Sequence, residues 1–177
     1  MKKYILKPIF YFVFFVFITI VLLPKENIYY FVEKQLSPYK VIISNENTQD
    51  KLLSFIISDG NIYYDNIKFG TIGTLKLDTL LIYNVLNINN IIIDDAFKNF
   101  LPKKIENIQI NYNIFKDPVN IHISSNGDMG EVNGMVSLMD RKIIINFHPS
   151  KIITQKYRSA LRQFKFQDGK YIYEYKF

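Results

Sequence analysis

No cysteine occurs anywhere in this 177-residue chain. A disulfide framework, a thiolate metal site and a cysteine nucleophile are therefore excluded, whichever compartment the protein occupies. Tryptophan is absent too, and the aromatic content rests on 13 Tyr and 15 Phe. Ile, Asn, Lys, Tyr and Phe are so favoured, as an AT-rich genome would favour them, that no single Asn or Lys counts as a signal. G-x-S-x-G, H-E-x-x-H and a Walker-type lysine loop are all missing, which argues against hydrolase, zinc-protease or nucleotide chemistry. The glycines of "NGDMGEVNGMV", at 127, 130 and 134, fit neither the dinucleotide nor the phosphate-loop spacing and read as turn and bulge positions. His122 and His148 have no second histidine or carboxylate at ligand spacing. Asp94-Asp95 reads as a strand end followed by a helix cap. The expectation is a protein that is not an enzyme, with no catalytic, metal-ligating or cofactor-binding residues.

Charge is missing where apolar residues are dense. From Pro8 through Pro24, in "PIFYFVFFVFITIVLLP", no charged residue occurs in 17 positions. With Tyr4 to Leu6 added and Lys7 reaching the headgroups, the stretch approaches the roughly 20 residues that cross a bilayer. "TIVLLPKEN" offers no small-residue cleavage site, so the expectation is an uncleaved signal anchor and a single-pass membrane protein. Lys2, Lys3 and Lys7 precede it, which by the positive-inside rule puts the N-terminus in the cytoplasm. In a two-membrane bacterium the protein would sit in the inner membrane with the remainder in the periplasm. The division expected is a cytoplasmic tail at 1–7, a transmembrane helix at 8–24, a juxtamembrane helix at 25–38 and a β-rich periplasmic domain at 39–177. In the juxtamembrane segment, Ile28, Phe31, Val32 and Leu36 fall at helical spacing before Pro38 stops the helix. Its role could be packing, spacing, or lying in the interface with Tyr29, Tyr30 and Phe31 at the headgroups.

Beyond residue 40 the text changes to short β-branched and aromatic runs. Strands are expected at 40–45, 52–58, 61–64, 67–69, 74–83, 86–94, 105–115, 119–125, 131–139, 142–147 and 170–177, with turns at "SDGN", "YDNI", "SNGD" and "MDRK". In "IENIQINYNIF" the residues Ile108, Ile110, Tyr112 and Ile114 alternate with Gln109, Asn111 and Asn113, giving one buried and one wet face. Gly70 and Gly73 suggest bulges or a bend in a long strand. The fold class expected is mainly β with few helices: an N-terminal transmembrane helix, then a curved antiparallel sheet covered by a C-terminal amphipathic helix. That helix is read from "PSKIITQKYRSALRQF". Ser150 caps it, Ile153, Tyr157, Ala160, Leu161 and Phe164 form its apolar stripe, and Lys151, Arg158, Arg162 and Lys165 lie largely off the stripe. In "GKYIYEYKF" the aromatics Tyr171, Tyr173, Tyr175 and Phe177 share one face, expected to point inward in a closing strand.

Net charge is +6 overall, but residues 141–177 carry 9 basic and 2 acidic side chains. Lys151, Arg158, Arg162 and Lys165 are therefore the candidate contact with an anionic partner, either lipid headgroups or DNA; the alternative is simply the solvated face of a helix.

The layout carried by "LLPKENIYYFVEKQL", "LSFIISDGNIYYDNIKFGTIGTLKLD" and the ending from "NGDMGEVNGMVSLMDRKIIINFHPS" to "GKYIYEYKF" resembles the N component of bacterial type II secretion systems. It is more distantly similar to AsmA-like membrane-anchored envelope proteins. The resemblance implies a noncatalytic scaffold or accessory component of a secretion-like or transformation apparatus, with other envelope or secretion-machine proteins as partners. The alternative is a periplasmic lipid- or DNA-binding module that uses its sheet groove or its basic C-terminal helix.

Overall fold

A computed structural model of the chain describes residues 2–22, 24–80 and 82–177; the side chains of residues 2–6, 20 and 160 lie outside the described set, Ala160 of the expected stripe among them. Helix α1 (Lys2–Val21) is followed after Pro24 by α2 (Lys25–Leu36). The apolar side chains of α1, Phe10, Phe12 and Phe15 for example, are exposed all round it. Among the described residues no helix is long and apolar enough to cross a membrane.

The remainder is one open antiparallel sheet. Among the described residues it has eleven strands: β1 (Val41–Ser44), β2 (Asn47–Asp50), β3 (Ser54–Tyr64), β4 (Ile67–Thr79), β5 (Tyr83–Ile93), β6 (Lys104–Asn113), β7 (Asp117–Gly127), β8 (Gly130–Ser137), β9 (Lys142–Pro149), β10 (Lys165–Gln167) and β11 (Lys170–Lys176). From β3 to β9 each strand pairs with the next; β1 and β2 both pair with β3, and the last three run β9-β11-β10. Mainly β and antiparallel, as the alternation required, the sheet differs from expectation in its details. "SDGN" is no turn, because residues 54–58 and 61–64 belong to the single strand β3, which starts at Ser54 and not at residue 52. Likewise 67–69 and 74–79 merge into β4, which ends at Thr79; Tyr83 opens β5 and Leu81 lies outside the described residues, whereas β2 and β10 are additional.

The cause is a crease. In β3 the apolar side chains that face the core sit at odd positions, Phe55 and Ile57, and then at even ones, Ile62; in β4 they change from Ile72 to Leu75 and Leu77. In β5 they change from Leu86 and Ile88 to Ile91 and Ile93. The phase slips at Asp59, Gly73 and Asn90, which lie opposite one another between the pairs Ser58 with Thr74 and Gly60 with Ile72, and Thr74 with Asn89 and Ile72 with Ile91. Asp59 and Asn90 take positive φ of 60° and 55°, and a side chain on Gly73 would press on Asn90 at 3.0 Å. In β6 the slip falls at Glu106, as a bulge against β7. A slip shared by neighbouring strands keeps the apolar side chains on one face. Separately, Phe69 is an extra residue opposite the Ile62-Tyr63 step, so the expected irregularity at Gly70 and Gly73 is present.

The apolar face is covered in three places. Tyr29 of α2 packs on Phe55 and Ile57; the turn after β5 lays Phe97 and Leu101 over Ile72, Ile91 and Ile93; and the chain after β9 sets Ile153, Tyr157 and Leu161 on Phe147. The single C-terminal amphipathic helix expected over the sheet is therefore corrected. After α3 (Lys151–Lys156) the chain leaves α geometry at Tyr157 and continues as a 3-10 helix, Arg158–Gln163. Tyr157 is buried and its hydroxyl donates to the Lys98 carbonyl at 2.7 Å, a tertiary tie that fixes the break. The stripe holds at Ile153, Tyr157, Leu161 and Phe164, and Ser150 caps α3 by accepting from the Ile153 N–H. Asp94 caps the turn after β5 in the same way, accepting from Ala96. β11 is a closing strand held on both sides, by β9 and β10. Its aromatic face is inward only at Tyr171 and Tyr173; Tyr175 and Phe177 are about half exposed, because the covering segment ends at Phe164.

Candidate functional site

Helix α2 has 12 residues, about 18 Å of rise, and lies along the strands at the β3–β5 end of the sheet. Its two ends are tied down. At the start, Lys25 is only 2% exposed and donates to Asp50 at 3.2 Å; at the far end, Lys40 pairs with Asp65 at 2.9 Å. Midway, the Tyr29 ring tilts against Phe55 with centroids 5.6 Å apart, and its hydroxyl donates to Glu46. These anchors hold α2 over the sheet without pressing it down along its whole length. Between Ile28, Val32 and Leu36 on the helix and Leu75, Leu86 and Ile88 on the sheet, a cavity of about 460 Å³ stays open, and the surface facing it is apolar. This lies within the roughly 300–1,000 Å³ of small-molecule sites. The expected helical stripe was right at Ile28, Val32 and Leu36, but Phe31 points outward and Tyr29 inward.

Glu33 stands at the cavity wall. Burial pushes its carboxyl above the usual range and the Glu46 charge pushes it further, while the Ile43 backbone N–H works in the opposite direction. Tyr29 is raised well above an ordinary phenol, first by burial and then by the charges of Glu33 and Glu46.

Of the four cationic candidates, the structure brings together two. Arg158 and Arg162 line a shallow cavity of about 450 Å³ with Ser159, Leu161 and Tyr171, and among the described residues neither forms an ion pair. Lys151 starts α3 and Lys165 starts β10, both apart from that cavity. Two guanidinium groups with a hydroxyl and a phenol beside them can take one anionic oxygen group. His122 has no carboxylate at metal-ligand spacing, but its Nε2 lies 2.8 Å from Asp117, five residues earlier at the start of the same strand, β7. This draws the Asp117 carboxyl down, first through the His122 hydrogen bond and then through that of Asn120. Among the described residues no group of three His, Asp or Glu side chains could hold a metal ion.

A sheet groove was expected only under the alternative reading, and the sequence assigned it no residues. Its walls come from segments about 40 residues apart, and the one signal available was the stripe on α2. Comparison with protein-family models, curated proteins and solved structures finds no match for the chain.

Proposed function

We propose that the protein is a noncatalytic, single-pass envelope protein that takes the acyl chain of a membrane lipid into the cavity between α2 and the sheet. The observation that carries this reading is the cavity itself, open and faced by apolar atoms beside a segment suited to a bilayer. A water-filled space with such walls is costly, and a hydrocarbon chain removes that cost. The anchor rests on the 17 uncharged positions from Pro8 to Pro24 and on the exposure of apolar side chains all round α1, which suits lipid and not water. Lys2, Lys3 and Lys7, ahead of those uncharged positions, support a cytoplasmic N-terminus and a sheet in the periplasm of a two-membrane bacterium. The scaffold reading, as an accessory of a type II secretion-like or transformation apparatus, needs no open cavity, and this is what separates the two.

The test is photocrosslinking in vesicles containing a phospholipid with a photoactivatable acyl chain. The full chain should give adducts on residues 28–36 and 72–91 as well as on 8–24, and Leu86→Glu should abolish the former only. Adducts confined to 8–24, together with co-purifying envelope proteins, would move the assignment to the scaffold. Retention of duplex DNA dependent on Arg158 and Arg162 would move it to a nucleic-acid binder.

A further inference from the structure

Hairpin tips are ordinarily built from Gly, Asn, Asp, Pro and Ser. At one rim of this sheet Asn113, Ser137 and Asp140 still bend two of the tips, but the positions that project from them are apolar. Alternation of strand direction brings the connections β2–β3, β4–β5, β6–β7 and β8–β9 to the same rim, as the end pairs Ser54 with Asp78, Tyr83 with Asn113 and Asn120 with Ser137 require. Its tips present Leu52, Ile82, Ile114, Phe115, Leu138 and Met139, all exposed, Phe115 at 80% and Met139 at 77%. The tight turns of the opposite rim are instead Asp65-Asn66, Asp128 beside Gly127, and Asp168-Gly169.

The apolar rim is also the one where the chain arrives from α1. The Lys25–Asp50 contact fixes the first residue of α2 beside the β2–β3 tip, and the Lys40–Asp65 pair puts the far end of the helix at the opposite rim. Only residues 22–24 separate α1 from α2, a span of about 10 Å at full extension. Cations are set among the tips: Lys51, Lys116 and Arg141 are exposed and, among the described residues, form no ion pair. Carboxylates of that rim are engaged within the protein, Asp50 by Lys25, Asp78 by Lys76, Asp117 by Asn120 and His122, and Asp140 by Ser137.

We propose that this rim is seated on the bilayer that α1 crosses, its apolar tips dipping among the acyl chains and its cations lying at the headgroup phosphates. The inference rests on α1 being the anchor. Leu and Phe at exposed tips gain by leaving water, and a tether of three residues keeps the rim within reach of the surface. The strands then stand upright on the membrane, and the apolar face leads outward from it.

Because the chain has no cysteine, single-cysteine labelling is clean. Full-length Phe14→Cys, Phe115→Cys, Met139→Cys and Phe100→Cys, each carrying an environment-sensitive nitrobenzoxadiazole, are placed in phosphatidylethanolamine–phosphatidylglycerol vesicles with a lipid spin-labelled near the headgroup. Phe100 is the control: it is 70% exposed and apolar but belongs to the loop at the opposite rim. Quenching at 115 and 139 should exceed that at 100 several-fold, with a blue shift of emission. Equal quenching at 115, 139 and 100 overturns the proposal, and so does a blue shift without quenching, which marks a protein contact. Quenching at 14 alone overturns the seated rim but keeps the anchor; quenching at 115 and 139 without 14 does the reverse; quenching nowhere overturns both.

Discussion

Ile57 is fully buried between Tyr29 of α2 and Leu75 and Leu77 of the sheet, whereas Leu86 borders the open cavity two strands away, on β5. Truncating each to alanine removes the same three carbon groups, so the difference between them measures the cavity. For Ile57→Ala the transfer loss is about 2.4 kcal/mol at about 0.8 kcal/mol per methylene. The void left in a packed site adds to this, and about 3 kcal/mol in total is expected, inside the usual 2–5 kcal/mol. For Leu86→Ala the removed atoms already face empty space and part of their area was exposed, so little void is added and about 1 kcal/mol is expected. In a chain of this size 1 kcal/mol moves the melting temperature by about 2–4 °C. Ile57→Ala should then lower it by about 6–12 °C and Leu86→Ala by about 2–4 °C. The assay is thermal melting in mild detergent, followed by the near-ultraviolet circular dichroism of the tyrosines, 11 of whose 13 lie beyond residue 24. Equal losses for the two variants would show that the helix closes onto the sheet in solution, and the lipid-binding proposal would lose its basis.

Glu33→Gln should stabilise the protein at neutral pH. Its carboxyl is held above the usual range in the folded state, so the folded chain binds the proton more tightly than the unfolded one. Stability therefore falls as pH rises from the unfolded value towards the raised one; melting curves of the Gln variant should lose that slope and coincide with the parent in acid. A pH-independent difference between the two proteins would refute the cause given. Deletion of 170–177 should destabilise or unfold the sheet domain, because β11 bridges β9 and β10 and its Tyr173 packs on Phe164. An unchanged melting profile would return the segment to a free tail.

Much of the sheet was legible because burial on one face writes itself as alternation. "IQINYNI" could be nothing but a strand with a wet side, and Asp65-Asn66 is a hairpin turn by its own chemistry, with φ of 50° and 64°. What failed did so for local reasons. β2, "NTQD", is exposed along its whole length and carries no apolar signal; it exists because β3 offers it an edge. "SDGN" has the composition of a turn and sits mid-strand, because the strand beside it shares the same slip. The segment from 150 to 165 has a helical period throughout, yet Tyr157 is tied to Lys98, 59 residues away, and no local pattern records that tie. The basic candidates rest on charge density and on one face of a continuous helix, and only Arg158 and Arg162 share a cavity, because the chain leaves α geometry at Tyr157. The apolar cavity is an emergent space between elements, so only its helical wall was visible beforehand.

The crease at Asp59, Gly73 and Asn90 restricts how this sequence can drift. Asn90 to Val would improve the intrinsic strand preference of β5, and taken alone it looks like a gain. It would also return that strand to an unbroken alternation, turning either Leu86 and Ile88 or Ile91 and Ile93 towards water while β4 kept its own phase. Each of the three positions is thus permissible only in the company of the others. Substitutions there have to arrive as a set, and a tolerant exposed polar residue such as Asn90 carries as much constraint as the buried isoleucine beside it.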